Sequence, residues 1–339
     1  MIESHNNQNK ITNPQKTSED KKQEVTLRPD SFSDFIGQQE LIENLKVYIK
    51  AALKRTESLD HVLLFGPPGL GKTTLAKIIS KEMKVNFKMS SGPVLEKAGD
   101  LAGMLTNLDS QDVFFIDEVH RLRTVIEEYL YSAMEDYSID IILDKGPNSR
   151  SVVLNLNPFT LVGATTQLGK LTSPLRDRFG VILRLDYYST NELVQIILRS
   201  SKILKIKIDQ MGAEEIAKRS RGTPRVANRI LKRARDFAEV ESDGVITYEI
   251  ADLCLSRIGI DSNGLDDMDR RILNAVIDKF SGGPVGVESL SVAISEDSVT
   301  IEEVYEPYLI KEGYIQRTTR GRIALDKAYK YCNKSKSTN

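Results

Sequence analysis

The 339-residue chain has no tryptophan, only two cysteines and only three histidines. Cys254 and Cys332 lie far apart and in no metal-like spacing, a usage that fits a reducing compartment. Net charge is −1, so no global field draws the chain to nucleic acid or to an anionic membrane, and any basic surface has to be local. No apolar run approaches the roughly 18 residues of a membrane span, and residues 1–24 lack the apolar core of a signal peptide. Those first residues are mostly Asn, Gln, Lys, Glu and Ser, with Ile2 and Ile11 almost the only apolar side chains after Met1, and read as a disordered tail. The chain as a whole is ordinary for a soluble globular protein, at 40% hydrophobic and 28% charged residues, and long enough for two or three domains. The expected location is the cytoplasm.

What the sequence does contain is organised around one stretch. The apolar run Val62-Leu63-Leu64-Phe65 enters Gly66-Pro67-Pro68-Gly69-Leu70-Gly71-Lys72-Thr73-Thr74, and a helical pattern of Leu75, Ala76, Ile78 and Ile79 follows at once. This is G-x-x-x-x-G-K-[ST] in the strand–loop–helix context that a P-loop requires. Gly66, Gly69 and Gly71 let backbone N–H groups wrap around phosphate oxygens, and the helix N-terminus adds partial positive charge there. Lys72 is expected to reach the β- and γ-phosphates and Thr73 to place its hydroxyl on Mg2+, with Thr74 beside it in the same cradle. With the whole motif in this context, the plainer reading of a Gly/Pro turn joining strand to helix gives way.

A second apolar strand, Val113-Phe114-Phe115-Ile116, closes on Asp117-Glu118. In an open α/β sheet ligands sit at that end of a strand. Asp117 is expected to hold Mg2+, directly or through water, and Glu118 to orient the attacking water as general base. An Asp here also suits a helix N-cap; the position about fifty residues after the P-loop favours catalysis.

Around these lie an amphipathic helix over 38–53, a strand over 85–89, a loop and helix over 95–108, and a helix over 125–134 that ends in Glu135-Asp136-Tyr137. Residues 139–143 and 151–156 flank a turn-rich 144–149 and predict a hairpin, either a partner-docking insertion or an element packed on its own core. Thr165 and Thr166 end another apolar strand, where a hydroxyl either senses the γ-phosphate or caps the next turn. Arg176 and Arg178 follow. Arginine suits transition-state charge on a phosphoryl group, and equally forms surface ion pairs of little worth. Ser189-Thr190-Asn191-Glu192 is a capping signal that opens a helical region running to about 258. Within it Arg225, at a helix start, has the option of pointing back at a nucleotide. The eight basic residues from Lys218 to Arg235 read first as a solvated helix face.

Beyond a linker at 262–264, helices over 265–280, 287–295 and 301–313 precede a ribbon, 314–317 and 322–325. Three helices and a two-stranded ribbon form the pattern of a winged helix. Eight Lys/Arg lie between Lys311 and Lys336 against Glu312 and Asp326, and Arg317, Arg320 and Arg322 share the ribbon. That placement favours contact with a DNA backbone over protein docking.

Together these motifs resemble the AAA+ ATPases, and within them the bacterial Holliday-junction branch-migration motors. The resemblance rests on Leu27-Arg28-Pro29, the P-loop, Phe115-Ile-Asp-Glu-Val-His-Arg121, Ala133-Met-Glu-Asp-Tyr137, Gly163-Ala-Thr-Thr166, Arg178-Phe-Gly180, Arg221-Gly-Thr-Pro-Arg225, Gly282-Gly-Pro-Val-Gly286, Glu306-Pro-Tyr-Leu-Ile310 and Gln316-Arg-Thr-Thr-Arg-Gly-Arg322 in one order. It covers residues 25–331. The implied fold is an α/β AAA+ core with a parallel sheet over 25–187, a small helical lid over 188–260 and a winged-helix head over 261–335. By the resemblance, Leu27, Arg28 and Tyr188 line an adenine-nucleotide pocket and Glu135, Asp136 and Tyr137 share that neighbourhood. Thr165 and Thr166 fall in the sensor 1 segment, Arg178 matches the finger that completes a neighbouring subunit's site, and Arg225 matches sensor 2. The 139–156 hairpin matches the element that docks on the junction-binding partner RuvA, and Arg317 and Arg322 match DNA-contacting positions. The resemblance further implies ATP and Mg2+, a homo-hexamer on the duplex arms of a four-way junction, a resolvase partner (RuvC) and no membrane. The long tail before residue 25 departs from it.

Two rivals share the core. A clamp loader or helicase loader would lack the basic winged head, and a protein-remodelling unfoldase should carry an aromatic pore loop. A nucleotide-binding scaffold without turnover has no use for Asp117, Glu118 and Arg178 together.

Overall fold

Short apolar runs alternating with amphipathic helices build a parallel sheet, because each parallel pair needs a crossover long enough to hold a helix. In the computed structural model, which describes residues 11–14, 26–142 and 151–335, the compact unit Leu27–Asp186 is built this way. Its helices are α1 (Gln39–Arg55), α2 (Lys72–Met83), α3 (Ala98–Leu105), α4 (Thr124–Glu135) and α5 (Ser173–Asp177). Its strands are β1 (Val62–Phe65), β2 (Phe87–Ser91), β3 (Val113–Asp117), β4 (Ser138–Ile142), β5 (Ser151–Asn155), β6 (Thr160–Thr165) and β7 (Val181–Arg184). Five of them pair in the order β2-β3-β6-β1-β7, every neighbour parallel. Strand β6 thus lies between β1 and β3, with Phe65 opposite Thr165 and Ile116 opposite Gly163. That order brings the P-loop, the Asp-Glu pair and the Thr-Thr pair to one edge of the sheet. Val62, Leu63 and Leu64 in β1 and Phe114, Phe115 and Ile116 in β3 have no exposed surface, as strands covered on both faces require.

The stripe expected on α1 buries Leu41, Ile42, Leu45, Ile49 and Ala52, while Tyr48 and Leu53, on its margins, stay exposed. Strand β2 begins two residues later than the sequence pattern suggests, at Phe87. The hairpin is present as the antiparallel pair β4–β5, with residues 143–150 of its turn outside those described. Both readings of it have support. Ile139, Leu154 and Leu156 pack on the core of the unit, whereas Val152 and Val153 are exposed.

The second unit comprises Met1–Thr26 and Tyr187–Asn339. Its helical part holds α6 (Thr190–Leu204), α7 (Gln210–Lys218), α8 (Pro224–Glu241) and α9 (Tyr248–Arg257). The signal at 189–192 is a full capping box: Glu192 N–H donates to Ser189 Oγ (3.3 Å) and Ser189 N–H to Glu192 Oε2 (2.7 Å). Two-residue strands β8 (Lys207–Ile208) and β9 (Val245–Ile246) pair in parallel, too short to leave a period in the sequence.

The head follows with α10 (Asp267–Asn274), whose last turn widens into a π turn at Ala275–Lys279, and α11 (Val287–Ile294). A third helical run, from Ser298 through a π turn at Ile301–Tyr305, ends in α12 (Glu306–Lys311). The ribbon is β10 (Ile315–Thr318) with β11 (Gly321–Ala324), and Val285 makes a single antiparallel bridge to Arg322 on the other side of β11. Leu273, Leu290, Ile301, Leu309 and Tyr314 centre its own core. Among the described residues no helix is long and apolar enough to cross a membrane.

Candidate nucleotide site and nucleic-acid interface

The P-loop turn depends on three glycines with φ of 143°, 80° and 104° at Gly66, Gly69 and Gly71. At Gly66 a Cβ would stand 2.3 Å from the Leu185 carbonyl oxygen, so no side chain fits there. Lys72 opens α2 and is buried, its Nζ donating to the carbonyls of Gly66 (2.6 Å) and Pro67 (2.8 Å). The ammonium is therefore held inside the loop that would cradle phosphate. Thr73 Oγ1 lies 3.4 Å from Asp117 Oδ2, so a hydroxyl and a carboxylate face each other beside that cradle. Among the described residues no cluster of three or more His, Cys, Asp or Glu forms a cage for a metal. The pair instead fits Mg2+, which takes one or two protein oxygens and completes its shell with phosphate and water.

Glu118 sits at φ 50°, the left-handed region that a non-glycine residue adopts only under constraint. Its N–H donates to Asp117 Oδ1 (3.0 Å), its carbonyl accepts from Arg121 N–H (2.8 Å), and a Cβ on Gly92 would lie 2.5 Å from that carbonyl. Those contacts hold the turn. The Glu118 carboxylate, half exposed, pairs with Arg121 at 2.9 Å. On β6 the two threonines differ. Thr165 is buried, its Oγ1 lying 3.0 Å from His120 Nδ1 and accepting from Gln167 N–H (2.9 Å), so this hydroxyl caps the following turn. Thr166 is exposed.

Arg178 and Glu135 come together, as the sequence alone does not say. The guanidinium donates to Glu135 Oε2 (2.9 Å) and to the Pro174 carbonyl (2.8 Å), and its Cζ stacks 4.5 Å from the Tyr131 ring centre. Tyr131 is held through its hydroxyl, 3.1 Å from Thr172 Oγ1, and Thr172 donates to the buried Glu127 (2.6 Å). Asp136 is the C-cap of α4, and Tyr137, at φ 48°, lies edge-on to Phe159. Leu27 is buried and Arg28 half-buried in the same unit. Tyr188 and Arg225 belong to the other unit. Tyr188 is buried there, its N–H donating to the Gly222 carbonyl (2.9 Å), and Arg225 Nη1 donates to the Pro14 carbonyl (2.6 Å).

In the head, Arg317 and Arg320 are exposed, Arg317 pairing with Glu302 at 3.0 Å. Arg322, opposite Arg317 in the ribbon, is instead buried, with hydrogen bonds to Glu302 (2.5 Å) and to both oxygens of the buried Glu306. In this conformation its charge is met from within, so Arg317 and Arg320 are the arginines that the ribbon presents.

Three family models match end to end: the Holliday junction DNA helicase RuvB P-loop domain over residues 27–185, the RuvB AAA lid domain over 188–261 and the RuvB C-terminal winged helix domain over 262–333. The chain belongs to the RuvB family. The Holliday junction branch migration complex subunit RuvB of Flavobacterium psychrophilum is 58% identical over 326 residues, 96% of either chain. That of Salinibacter ruber is 60% identical over 312 residues, 92% of this chain and 91% of its own. The solved Thermotoga maritima RuvB Holliday junction branch migration motor superposes with a TM-score of 0.83 at 48% identity, covering 91% of this chain and 99% of that one. The fold is accordingly the AAA+ P-loop core, lid and winged helix of RuvB.

Inspection of the sequence passes over two residues of this RuvB-family site. His120, in the turn after Asp117-Glu118, engages Thr165, and Tyr131 carries Arg178. For His120 the signal is its place three residues after Asp117. For Tyr131 there is none, since it reads as one more aromatic on a helix.

Proposed function

We propose that this chain drives branch migration of Holliday junctions by hydrolysing ATP, as a homo-hexameric ring in the cytoplasm. The observation that supports it most directly is the edge of the sheet where Lys72, the Thr73–Asp117 pair, Glu118 and Thr166 gather at the ends of β1, β3 and β6. Lys72 exchanges its loop carbonyls for the β- and γ-phosphates. Thr73 and Asp117 would hold Mg2+, which would supply positive charge beside the phosphate oxygens. Glu118, placed by its constrained turn, orients the water and takes its proton. Thr166, whose neighbour Thr165 is committed to the turn, reports the γ-phosphate. Arg178 acts on the site of the adjacent subunit and Arg225 of the lid reads phosphate in its own. Leu27, Arg28, Tyr188 and the 135–137 segment border the nucleotide.

The load is DNA. Arg317 and Arg320 contact duplex phosphates without sequence preference, and Arg322 reaches them only by leaving Glu302 and Glu306. Val152 and Val153 give the hairpin an apolar edge for a RuvA-type junction-binding partner, and a RuvC-type resolvase acts on the same junction.

The test is ATPase activity and strand dissociation on a synthetic four-way junction, with and without the RuvA-type partner. Dissociation that requires ATP and Lys72 supports the reading. An unchanged junction with the partner present sinks the motor, and an active Lys72→Ala protein sinks the site.

A further inference from the structure

Residues 11–14 come from the stretch whose composition reads as a disordered tail, yet they are packed within the second unit. Ile11 is 9% exposed and Thr12 only 1%. Thr12 Oγ1 donates to Asp266 Oδ2 at 2.5 Å, and Asp266 is itself buried as the N-cap of α10 and ion-paired with Arg221 at 3.1 Å. Burial alone would raise the Asp266 carboxyl, but Arg221 and the Thr12 hydroxyl hold it below the usual carboxylate range. The next two residues meet the lid. The Asn13 carbonyl accepts from Arg229 and the Pro14 carbonyl from Arg225. Arg225 and Arg229 are four residues apart on α8, so they share one helix face and can grip successive carbonyls of one peptide.

We propose that the face formed by Arg225, Arg229 and Asp266 is a docking site for a short peptide, that its occupant is this chain's own segment 11–14, and that the segment competes with nucleotide phosphate for Arg225. A guanidinium donating to a neutral carbonyl makes the weaker of its two available bonds, because a phosphate oxygen accepts with charge. Saturating nucleotide therefore displaces the segment. The device raises the nucleotide concentration at which the motor engages and leaves the maximal rate alone. The competition rests on Arg225 being the lid's phosphate-reading arginine; the docking does not.

The experiment compares the full chain with a variant lacking residues 1–14 and with Thr12→Val, which keeps the shape and removes the donor. Fluorescent mant-ATP titration, steady-state ATPase and amide hydrogen exchange are read on each. Both variants should bind mant-ATP about fivefold more tightly, the low end of ordinary coupling between sites, with kcat unchanged and faster exchange over 223–230 and 266–270. Unaltered exchange overturns the docking, and faster exchange with unaltered affinity overturns the competition. Arg225→Ala separates the two layers. It should weaken mant-ATP binding and make the deletion silent. An Arg225→Ala chain that binds like the parent overturns the phosphate-reading role itself, while exchange still decides the docking. Protection in the full chain that disappears on dilution assigns the occupant to a second copy and overturns the same-chain contact.

Discussion

The phosphate edge of the sheet and the head of the second unit both concentrate charge, and they use it in opposite ways. At the sheet edge Lys72, Thr73, Asp117, Glu118 and Thr166 each sit at a strand end or in a turn that fixes the backbone and brings their head groups to one edge. In the head, much of the charge is turned inward. Arg322 is taken up by Glu302 and Glu306, and the head's Asp266 (3.1 Å) and Asp269 (2.5 Å) take up Arg221 of the lid, which is 4% exposed. Burial pushes the Asp269 carboxyl up to about 8 even with Arg221 beside it. A surplus of arginine along a sequence thus says little about how much positive charge a surface presents, whereas a motif that dictates its own backbone says nearly everything about where its lysine points.

The contrast breaks most sharply at Arg178. Arg178→Ala should lower junction-stimulated ATPase by about 10³, the worth of a trans-acting arginine, while mant-ATP binding stays near that of the parent. Equal losses of turnover and binding would place Arg178 in the pocket of its own chain. Next comes Arg221→Met, which strands the buried Asp266 carboxylate without a counter-charge. Unfolding in urea should show a loss of about 3–5 kcal/mol, and a loss below about 1 kcal/mol would mean the cluster is already neutral. On the wing, replacing Arg317 and Arg320 by Ala should weaken duplex binding and lower the salt dependence of log K by about two, with basal ATPase and melting temperature unchanged. Arg322→Gln should do the reverse, lowering the melting temperature first; an unaltered melting temperature with weakened DNA binding would show that Arg322 works outside the wing.

The smallest effect is a pH dependence at His61. This buried ring accepts the Leu161 N–H at Nδ1 (2.9 Å) and meets the Met134 carbonyl at Nε2 (3.1 Å), so it is held neutral, and burial lowers its pKa below 6.5. Above pH 6.5 the ring is neutral in both folded and unfolded chains and contributes no slope. As pH falls through 6.5 toward the lower folded value, the unfolded chain binds a proton that the folded chain refuses, and stability drops. Urea midpoints at pH 7.5 and 5.5 should differ, and His61→Gln should flatten that difference.

The sheet edge was legible because its demands are contiguous: Gly66, Lys72 and Thr73 must follow one another on one turn, and Asp117-Glu118 must end an apolar strand. The winged head was legible from the spacing of its helices and ribbon. What escaped depends on pairs distant in sequence. Arg322 and Glu306 are sixteen residues apart, Arg178 and Glu135 forty-three, and Thr12 and Asp266 two hundred and fifty-four. No periodicity records such partners. Residues 11–14 show the same limit from the other side, since one isoleucine and one threonine among polar neighbours carry no sign of the surface that receives them.

Strand β6 has a mechanical consequence. It is bound on both sides, four residue pairs to β1 and four to β3, so sliding it would tear two ladders at once. The sheet is therefore a stiff support, and under the role proposed for Thr166 a change at that residue passes to what hangs from the sheet's edge. The chain from Thr166 passes through a 3-10 turn at Leu168–Lys170, reaches Thr172, the cap of α5, and delivers Arg178 at the end of that helix. Eleven residues thus separate Thr166 from Arg178, so the residue we propose as γ-phosphate sensor and the arginine we propose to act in trans share one short segment. In the ring we propose, a stiff sheet with so short a connection at its edge would let one site's state reach the next without deforming the body between them.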